Sequence, residues 1–198
     1  MRIISGKYRG RKLFEINDQP IRPTLDRVKE TMFDIIQFEI AGSRVLDLFA
    51  GTGALGIECI SRGASEVAFC DVNPKCIRLL RQNLDGLKLD SQPVIYTGGW
   101  QEALVSVRAR KIDLLFLDPP FRMDVYYDVL KRVSDLSVIE EDGIVVCEHP
   151  VDVVLPASVG RLSKWKDRKI GKVMLTYYKP IVTEISEKAE EYVSEEEL

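Results

Sequence analysis

The chain has 198 residues, 45% of them hydrophobic and 30% charged, and its formal net charge is -3. This length and apolar content suffice for one core of ordinary size, so we expect one globular domain rather than two. No apolar run reaches membrane-spanning length and no secretory segment follows Met1, which predicts a soluble cytoplasmic protein, expected to be a monomer, without a membrane partner. The four cysteines show no Cys-x-x-Cys spacing, which favours buried free thiols over disulfides or a metal site.

The first unit of the chain, residues 1–22, is a basic arm. Its Ser5-Gly6 and Arg9-Gly10 pairs are turn signals that predict a short β-hairpin. Five cations precede the first acid of the chain, and they are Arg2, Lys7, Arg9, Arg11 and Lys12. Such a cluster on a body of low net charge indicates contact with a polyanion, although a solvated hairpin would show the same pattern.

The second unit, residues 23–180, alternates between strand and helix patterns. A helix begins near Thr24, a good N-cap residue, and ends at Gly42. Further strands are predicted at 45–50, 67–71, 94–97, 114–118 and 144–147, with helices at 54–62, after 73–74, near 101–108 and at 124–133. This alternation predicts an α/β fold in which helices cover both faces of a mostly parallel sheet.

The helical pattern fades after Pro150. Segments 161–166 and 172–178 are predicted strands on either side of a basic turn. The cations of this region form a second basic cluster, consisting of Arg161, Lys164, Lys166, Arg168, Lys169 and Lys172. The third unit, residues 181–198, holds seven acids against one lysine, which predicts an acidic, flexible tail with little to bury.

A glycine turn joins the first predicted strand of the sheet to the helix that follows. In the segment Asp47-Leu-Phe-Ala-Gly51-Thr-Gly53-Ala-Leu-Gly56, the glycines let the backbone turn tightly and approach a ligand. They formally match the dinucleotide fingerprint, and Asp71 ends the next strand near the distance expected for a ribose contact. The match alone fits an NAD-dependent oxidoreductase, a nucleoside cofactor, or a turn that serves packing only.

Asp47 distinguishes two classes of cofactor. A carboxylate immediately before the glycine turn would repel a pyrophosphate, whereas it could attract the ammonium group of a methionine moiety. The charge therefore favours S-adenosylmethionine over a nicotinamide dinucleotide. Asp71 would then accept hydrogen bonds from both ribose hydroxyls.

The segment Asp118-Pro-Pro-Phe121 closes a buried apolar run and so lies at the carboxyl end of a strand, where α/β sheets bind ligands. The exocyclic amine of a nucleobase is a poor nucleophile because its lone pair is delocalised into the ring. If the Asp118 carboxylate and the Pro119 carbonyl accept hydrogen bonds from that amine, its lone pair can turn toward a methyl group while Phe121 stacks on the base. An ordinary strand-ending turn would also contain Asp-Pro.

Four other side chains invite a functional role, but packing explains three of them better. His149 is the only histidine, and methyl transfer to an amine needs no strong base before the bond forms, so we expect a structural role for it. Trp165 and Tyr177 could face RNA but are likewise expected to pack, whereas for Trp100 a place at the border of the adenine pocket stays open beside packing.

These motifs together resemble the RsmD family of bacterial small-subunit ribosomal RNA guanine-N2 methyltransferases. The matching segments are 2–13, 21–24, 27–30, 47–53 and 118–121. The resemblance implies a Rossmann-like class I methyltransferase fold, with a β-hairpin arm before a seven-stranded, mostly parallel sheet whose last strand is antiparallel. It also implies S-adenosylmethionine as the methyl donor and the N2 amine of a guanine in 16S ribosomal RNA as the acceptor, in free RNA or in the small ribosomal subunit.

The resemblance also implies roles for residues by their position. The residues that hold the guanine would be Asp118, Pro119 and Phe121. Those that bind the cofactor would be Asp47, Ala50, Gly51, Gly53, Asp71, Val72 and Gly99. Those that contact RNA would be Arg2, Lys7, Arg9, Arg11, Lys12, Arg22 and Arg27. The chain departs from the family pattern at Thr97-Gly-Gly-Trp100, where an acid often binds the adenine amine, so backbone amides would recognise adenine here.

Alternatives to this function remain open. The acceptor could be the N6 amine of adenine in a nucleic acid, because many amine methyltransferases share the Asp-Pro-Pro-Phe pattern. It could also be a protein glutamine, although such enzymes more often resemble an Asn-Pro-Pro-Tyr pattern. An NAD-dependent oxidoreductase would leave that pattern and the basic arm unexplained. An RNA-binding module without activity would have no need of the site carboxylates.

Overall fold

A computed structural model describes residues 1–16, 23–120 and 123–181. Its helices are α1 (Pro23–Ile35), α2 (Ala54–Ser61), α3 (Pro74–Asp85), α4 (Trp100–Val107) and α5 (Tyr126–Leu136). Its strands are β1 (Arg44–Asp47), β2 (Glu66–Cys70), β3 (Val94–Tyr96), β4 (Ile112–Leu117), β5 (Ile139–Pro150), β6 (Ser158–Val159), β7 (Leu162–Ile170) and β8 (Val173–Pro180). None of the helices in the described ranges is long and apolar enough to cross a membrane.

All of these strands join one sheet in the order β3-β2-β1-β4-β5-β8-β7-β6. The strands from β3 to β5 run parallel, whereas β8 and β7 are antiparallel to their neighbours. The predicted parallel sheet with a reversed end is therefore confirmed. The described residues form eight strands rather than seven, because the two residues of β6 pair with the start of β7.

Two apolar cores lie on opposite faces of the sheet, as predicted from the alternation of strands and helices. On one face, α1 packs Phe33 against Phe116 of β4, with ring centroids 5.8 Å apart, and α2 and α3 complete this core. On the other face, Leu104 of α4 and Leu130 of α5 pack against the sheet. The four cysteines are buried free thiols, as expected.

Several predicted boundaries differ from the structure. The first helix ends at Ile35 and not at Gly42, and β5 spans Ile139–Pro150 where the prediction was 144–147. The first strand of the sheet ends at Asp47 and not at Ala50, because the chain turns after Asp47 to enter the glycine turn.

The basic turn predicted between segments 161–166 and 172–178 is shorter than expected, since β7 continues to Ile170 and the turn is Gly171-Lys172. Period-two alternation is absent from the exposed, cation-rich half of β7, so its sequence carries no strand pattern.

The N-terminal segment, residues 1–16, packs onto the domain. A single bridge pairs Arg2 with Lys12, which is the shortest form of the predicted hairpin. Ile3, Tyr8 and Leu13 are buried in the core on the α1 side of the sheet. The remaining residues of the predicted arm, 17–22, and the predicted tail beyond Ile181 lie outside the described residues.

A buried ion cluster attaches this segment to α1 and α2. The Glu58 carboxylate lies 2.9 Å from Lys29 Nζ and 2.9 Å from Arg62 Nε, and it accepts hydrogen bonds from the backbone N–H groups of Ile4 and Ser5. Burial alone would raise the pKa of Glu58, but the Lys29 charge and the Ile4 amide hold it below its usual value. Since Glu58 is fully buried and Lys29 is 3% exposed, each charge depends on the other for its compensation.

Removing one member of this cluster should therefore destabilise the fold. We expect Glu58→Ala to lower the free energy of unfolding by about 3–5 kcal/mol, because it leaves Lys29 buried and unpaired. The control Glu66→Ala breaks the exposed pair with Arg110 and should cost about 1 kcal/mol or less. Urea unfolding measures both variants, and equal losses would contradict the role of the buried cluster.

Candidate active site

Four acids meet at the carboxyl edge of the parallel strands, and we call this set the acidic edge. Asp47 ends β1, Asp71 follows β2, Asp118 follows β4 and Glu148 lies near the end of β5. The register places Asp47 opposite both Phe69 and Phe116, so these strand ends are level. The edge is where parallel α/β sheets bind ligands, and the three predicted aspartates are brought together there.

Glu148 was missed by the sequence analysis. In the register between β4 and β5, Leu117 pairs with Cys147, so Asp118 and Glu148 are the next neighbours on the two strands. Strands in a sheet lie roughly 4.8 Å apart, which brings these two acids side by side. The sequence carried only a weak signal for this contact, an acid directly after the predicted strand 144–147.

The glycine turn lies against the acidic edge. Gly51 and Gly53 have positive φ values of 54° and 86°, which L side chains rarely adopt. A Cβ atom at Gly53 would lie 2.3 Å from Leu80 Cδ1, whereas one at Gly51 would meet nothing within 4 Å. Gly53 is therefore required for packing, and Gly51 borders open space in which a ligand can approach the backbone.

Asp71 links the glycine turn to the start of α3. Its Oδ2 atom accepts a hydrogen bond from Gly51 N at 2.7 Å, and its Oδ1 atom accepts one from Asn73 N at 2.7 Å. Asn73, and not Asp71, caps α3 by accepting from Lys75 N. The Asp71 carboxylate is half-buried, and its oxygens retain lone pairs that can accept further hydrogen bonds. Val72 beside it is 69% exposed, so its apolar side chain is accessible to a ligand at this edge.

Asp47 is buried and holds the start of α2. Its Oδ2 atom accepts a hydrogen bond from Gly56 N at 2.9 Å. Burial raises the pKa of Asp47 to about 7, opposed by the Gly56 amide and reinforced by the charges of Asp118 and Asp71. A cation bound near Asp47 would offset both the cost of burying the ionised carboxylate and the repulsion from the other acids, so the site favours a positively charged ligand.

Asp118 and Glu148 disfavour each other's ionisation. Burial, followed by the nearby Glu148 carboxylate, raises the pKa of Asp118 well above its usual value. Burial likewise raises the pKa of Glu148. The hydroxyl of Tyr177 is also buried here and has no hydrogen-bond partner among the described residues, and burial and Glu148 raise its pKa too. Among the described residues, no hydrogen-bond donor or ion-pair partner is found for the carboxylates of Asp118 and Glu148 or for the Tyr177 hydroxyl.

The remaining predicted site residues vary in their surroundings. Pro119 is buried and Pro120 is exposed, while Phe121 lies outside the described residues. Ala50 is buried, and its N–H donates to Cys70 O. The Gly99 N–H donates to Glu102 Oε2 at 3.2 Å. Glu102 thus supplies an acid shortly after β3, three residues beyond Gly99, which the sequence analysis did not identify.

The predicted RNA-binding cations are exposed where the structure describes them. Exposed side chains are found at Arg2, Lys7, Arg9, Arg11, Lys12 and Arg27, while Arg22 lies outside the described residues. Lys7 Nζ and Arg11 Cζ lie 5.4 and 5.5 Å from the centroid of the Tyr8 ring. Arg11 also donates a hydrogen bond to the carbonyl of Gly86. Their charges therefore form a surface and are not consumed by ion pairs within the described ranges.

His149 has the structural environment that the sequence analysis expected. It is a buried residue of β5 next to β8. Its Nε2 atom lies 2.8 Å from Thr176 Oγ1 and its Nδ1 atom lies 3.0 Å from Pro150 O. The Thr176 hydroxyl donates in turn to Asp167. No group of three or more His, Cys, Asp or Glu side chains able to hold a metal ion occurs in the described part of the chain.

A cavity of about 520 Å³ lies at the opposite edge of the sheet, where the parallel strands begin. Its lining includes Arg44, Glu66, Val94 and Ile112. Some charged residues of this lining form ion pairs, Arg110 with Glu66 and Arg44 with Asp113 and Glu140. Size alone therefore does not identify the functional site, and the uncompensated acids indicate the other edge.

Comparison with known proteins relates nearly the whole described part of the chain to one protein family. The family model described as conserved hypothetical protein 95 matches residues 1–179. A Bacillus subtilis protein with the provisional name rRNA methyltransferase YlbH is 37% identical over 181 residues, which cover 90% of this chain and 98% of that protein. Ribosomal RNA small subunit methyltransferase D of Escherichia coli K12 is 31% identical over 179 residues, covering 90% of this chain and 89% of that protein.

A solved structure extends the likeness to the fold. The Escherichia coli protein yhhF, provisionally described as a methyltransferase, superposes with a TM-score of 0.77 at 28% identity. The match covers 92% of this chain and 99% of that one. The residues that the family model matches, 1–179, include the N-terminal segment, the glycine turn and the acidic edge.

The raised pKa of Asp47 predicts how stability depends on pH. A buried carboxyl whose pKa is higher in the folded state than in the unfolded state favours folding while protonated, and this contribution is lost as pH rises toward 7. We expect the stability of the ligand-free protein to fall between pH 4 and pH 7. Asp47→Asn should flatten that fall by as much as about 1.4 kcal/mol per pH unit.

Urea unfolding at several pH values tests this prediction, with Asp85→Asn, a change at an exposed acid of α3, as the control. The control should keep the wild-type slope. If Asp47→Asn also keeps it, Asp47 is not the strained carboxyl described here.

Proposed function

Since this chain belongs to the family of conserved hypothetical protein 95, together with the ribosomal RNA small subunit methyltransferase D proteins, we propose the reaction that it catalyses. The chain transfers the methyl group of S-adenosylmethionine to the exocyclic N2 amine of a guanine in 16S ribosomal RNA. The resemblance to the RsmD family is confirmed by the family match, and the class I methyltransferase fold by the solved relative. The observation that carries the proposal is the meeting of Asp47, Asp71 and Asp118 beside a glycine turn that is open at Gly51.

The charge of the acidic edge supports the cofactor. S-adenosylmethionine has a sulfonium and an ammonium group. These positive charges would offset the repulsion among Asp47, Asp71 and Asp118. Asp71 would hold the ribose hydroxyls, the exposed Val72 would cover a face of the adenine, and the Gly51 backbone would border the methionine moiety. A nicotinamide dinucleotide would instead place a pyrophosphate among these carboxylates, which disfavours the oxidoreductase alternative.

The protein's part in the reaction is to orient the amine. When bound, the cofactor supplies an electrophilic methyl group, whose bond to sulfur breaks as the bond to guanine N2 forms. Asp118 accepts one hydrogen bond from the amine and the Pro119 carbonyl accepts the other, so the nitrogen can become pyramidal and its lone pair is no longer delocalised into the ring. The proton that N2 loses after transfer can pass to the Asp118 carboxylate, whose raised pKa makes it a better acceptor than an ordinary aspartate.

The exposed cations of the N-terminal segment would hold the RNA backbone. The buried ion cluster around Glu58 fixes the backbone of Ile4 and Ser5, so the cations near them are displayed from a rigid support. A preorganised surface of this kind loses less conformational entropy on binding than a free arm would.

Loss of the Asp118 carboxylate should abolish the reaction without removing the cofactor site. We expect Asp118→Ala to lower kcat by about 100-fold or more, while calorimetry shows S-adenosylhomocysteine binding within about threefold of wild type. The control Asp128→Ala changes an exposed acid at the start of α5 and should leave both quantities unchanged.

In cells, mass spectrometry of 16S ribosomal RNA from a strain that lacks the gene should show one N2-methylguanine missing. The wild-type gene should restore it and the Asp118→Ala gene should not. A full complement of methylated guanines in the deletion strain would overturn the proposed function. Tight binding of NADH in place of S-adenosylhomocysteine would favour the oxidoreductase instead.

The RNA surface makes a separate prediction. Replacing Arg9 and Arg11 by alanine should weaken RNA binding and flatten its dependence on salt, by about 0.7–0.9 in the log–log slope for each phosphate that the protein no longer neutralises. The control removes two exposed cations elsewhere, Lys131 and Arg132 of α5, with the same change in net charge. Binding measured at several salt concentrations separates the two, and equal slopes would count against the N-terminal surface.

A further inference from the structure

The environment of Glu148 differs from that of Glu58, the other deeply buried glutamate among the described residues. Glu58 is compensated by Lys29, Arg62 and two backbone amides. Glu148 is only 8% exposed, yet its carboxylate has neither an ion-pair partner nor a hydrogen-bond donor among the described residues, although its backbone oxygen accepts from Tyr126. A buried carboxylate without compensation is costly, so its retention calls for a donor that comes from outside the protein.

The position of Glu148 identifies where that donor would lie. It is the strand neighbour of Asp118 at the acidic edge, one residue beyond the paired Leu117 and Cys147. The nearby hydroxyl of Tyr177 is also buried and unpaired within the described ranges. Unsatisfied polar groups that cluster at one place mark a binding site more often than a structural defect.

The acceptor base offers two N–H donors side by side. Guanine carries a hydrogen on N1 next to its N2 amine, whereas adenine N1 is a hydrogen-bond acceptor. The adjacent carboxylates of Asp118 and Glu148 match the two adjacent N–H donors of guanine. With adenine, one carboxylate would instead face the N1 lone pair, so two hydrogen-bond acceptors would meet without a donor. Leaving such a group unpaired in a buried site gives strong discrimination.

We propose that Glu148 is the specificity-determining residue that accepts the N1–H hydrogen bond of the target guanine, while Asp118 holds its N2 amine. This inference rests on the proposed function, because it concerns the same acceptor base. It explains why a second acid is buried beside Asp118. It also separates a guanine site from the adenine alternative, which Asp118 and Pro119 alone would not exclude.

The test uses 16S ribosomal RNA with either guanine or 2,6-diaminopurine at the methylated position, given as free RNA and as small ribosomal subunits. The analogue keeps the 2-amine but has an acceptor at N1. Wild-type protein should methylate the guanine substrate with a kcat/KM at least about tenfold higher. Glu148→Gln should reduce this ratio by about tenfold or more, because the glutamine amide can donate to the analogue's N1.

Two variants keep the result interpretable. Glu148→Asp retains a carboxylate and should keep the preference for guanine, although its rates fall with both bases. Glu141→Gln changes an exposed glutamate of the same strand and should leave rates and preference unchanged. If Glu148→Gln fails to fold, the wild-type preference between the two bases still tests the proposal.

The outcomes distinguish a failure of the proposed function from a failure of the role of Glu148. No methylation of guanine by the wild-type protein would overturn the proposed function itself. Methylation of guanine with no wild-type preference over 2,6-diaminopurine would overturn the role of Glu148 alone. An equal loss of rate on both bases in Glu148→Gln would do the same, because it would show that Glu148 only supports the structure of the site.

Discussion

The acidic edge collects four carboxylates, and no lysine or arginine in the described ranges pairs with any of them. The fold makes this possible because parallel strands end at a common level and α2 supplies a backbone amide to Asp47. Burial and the neighbouring carboxylates raise the pKa of Asp47 and of Asp118, which disfavours their ionised forms. An arrangement of this kind is maintained where a ligand offsets its cost, since burial without compensation only costs stability.

The stability of the fold comes from the rest of the molecule and not from the acidic edge. Two apolar cores cover the sheet, and the chain's own buried charge cluster, around Glu58, is fully paired. The contrast between Glu58 and Glu148 is informative because both side chains are buried glutamates in one small domain. One is surrounded by donors of the protein and joins the N-terminal segment to α2. Glu148 has no such donor among the described residues and lies at the acidic edge.

The sequence predicted the features that depend on local patterns. Strand and helix alternation, the glycine turn and the aspartates after β1, β2 and β4 could be found because each is defined by residues close together in the chain. Glu148 could not, because its meaning comes from the register of β5 against β4. The same holds for the pair of Lys29 and Glu58, which are distant in sequence and meet only when α1 packs on α2.

The boundary errors have a related cause. The half of β7 that was predicted as a basic turn is held in the sheet by pairing with β8, for example Arg168 with Leu175. A strand whose side chains are nearly all exposed lacks the alternation that reveals a strand in a sequence, while its backbone pairing is unaffected. The cations of this segment therefore belong to a rigid strand, on which the half-exposed Trp165 lies with Lys179 Nζ 4.2 Å from its ring centroid.

The distribution of charge also constrains how the proposed substrate can approach. The cations of the N-terminal segment attract a polyanion, whereas the acidic edge repels one, so phosphates are held at the surface and kept out of the site. A nucleobase is uncharged and can enter where phosphate cannot, provided that it brings N–H donors for the carboxylates. Of the RNA bases, guanine alone presents an exocyclic amine with a ring N–H beside it. In the proposed function, the surface cations hold the RNA backbone, repulsion keeps phosphate away from the acidic edge, and the paired N–H donors of guanine select that base.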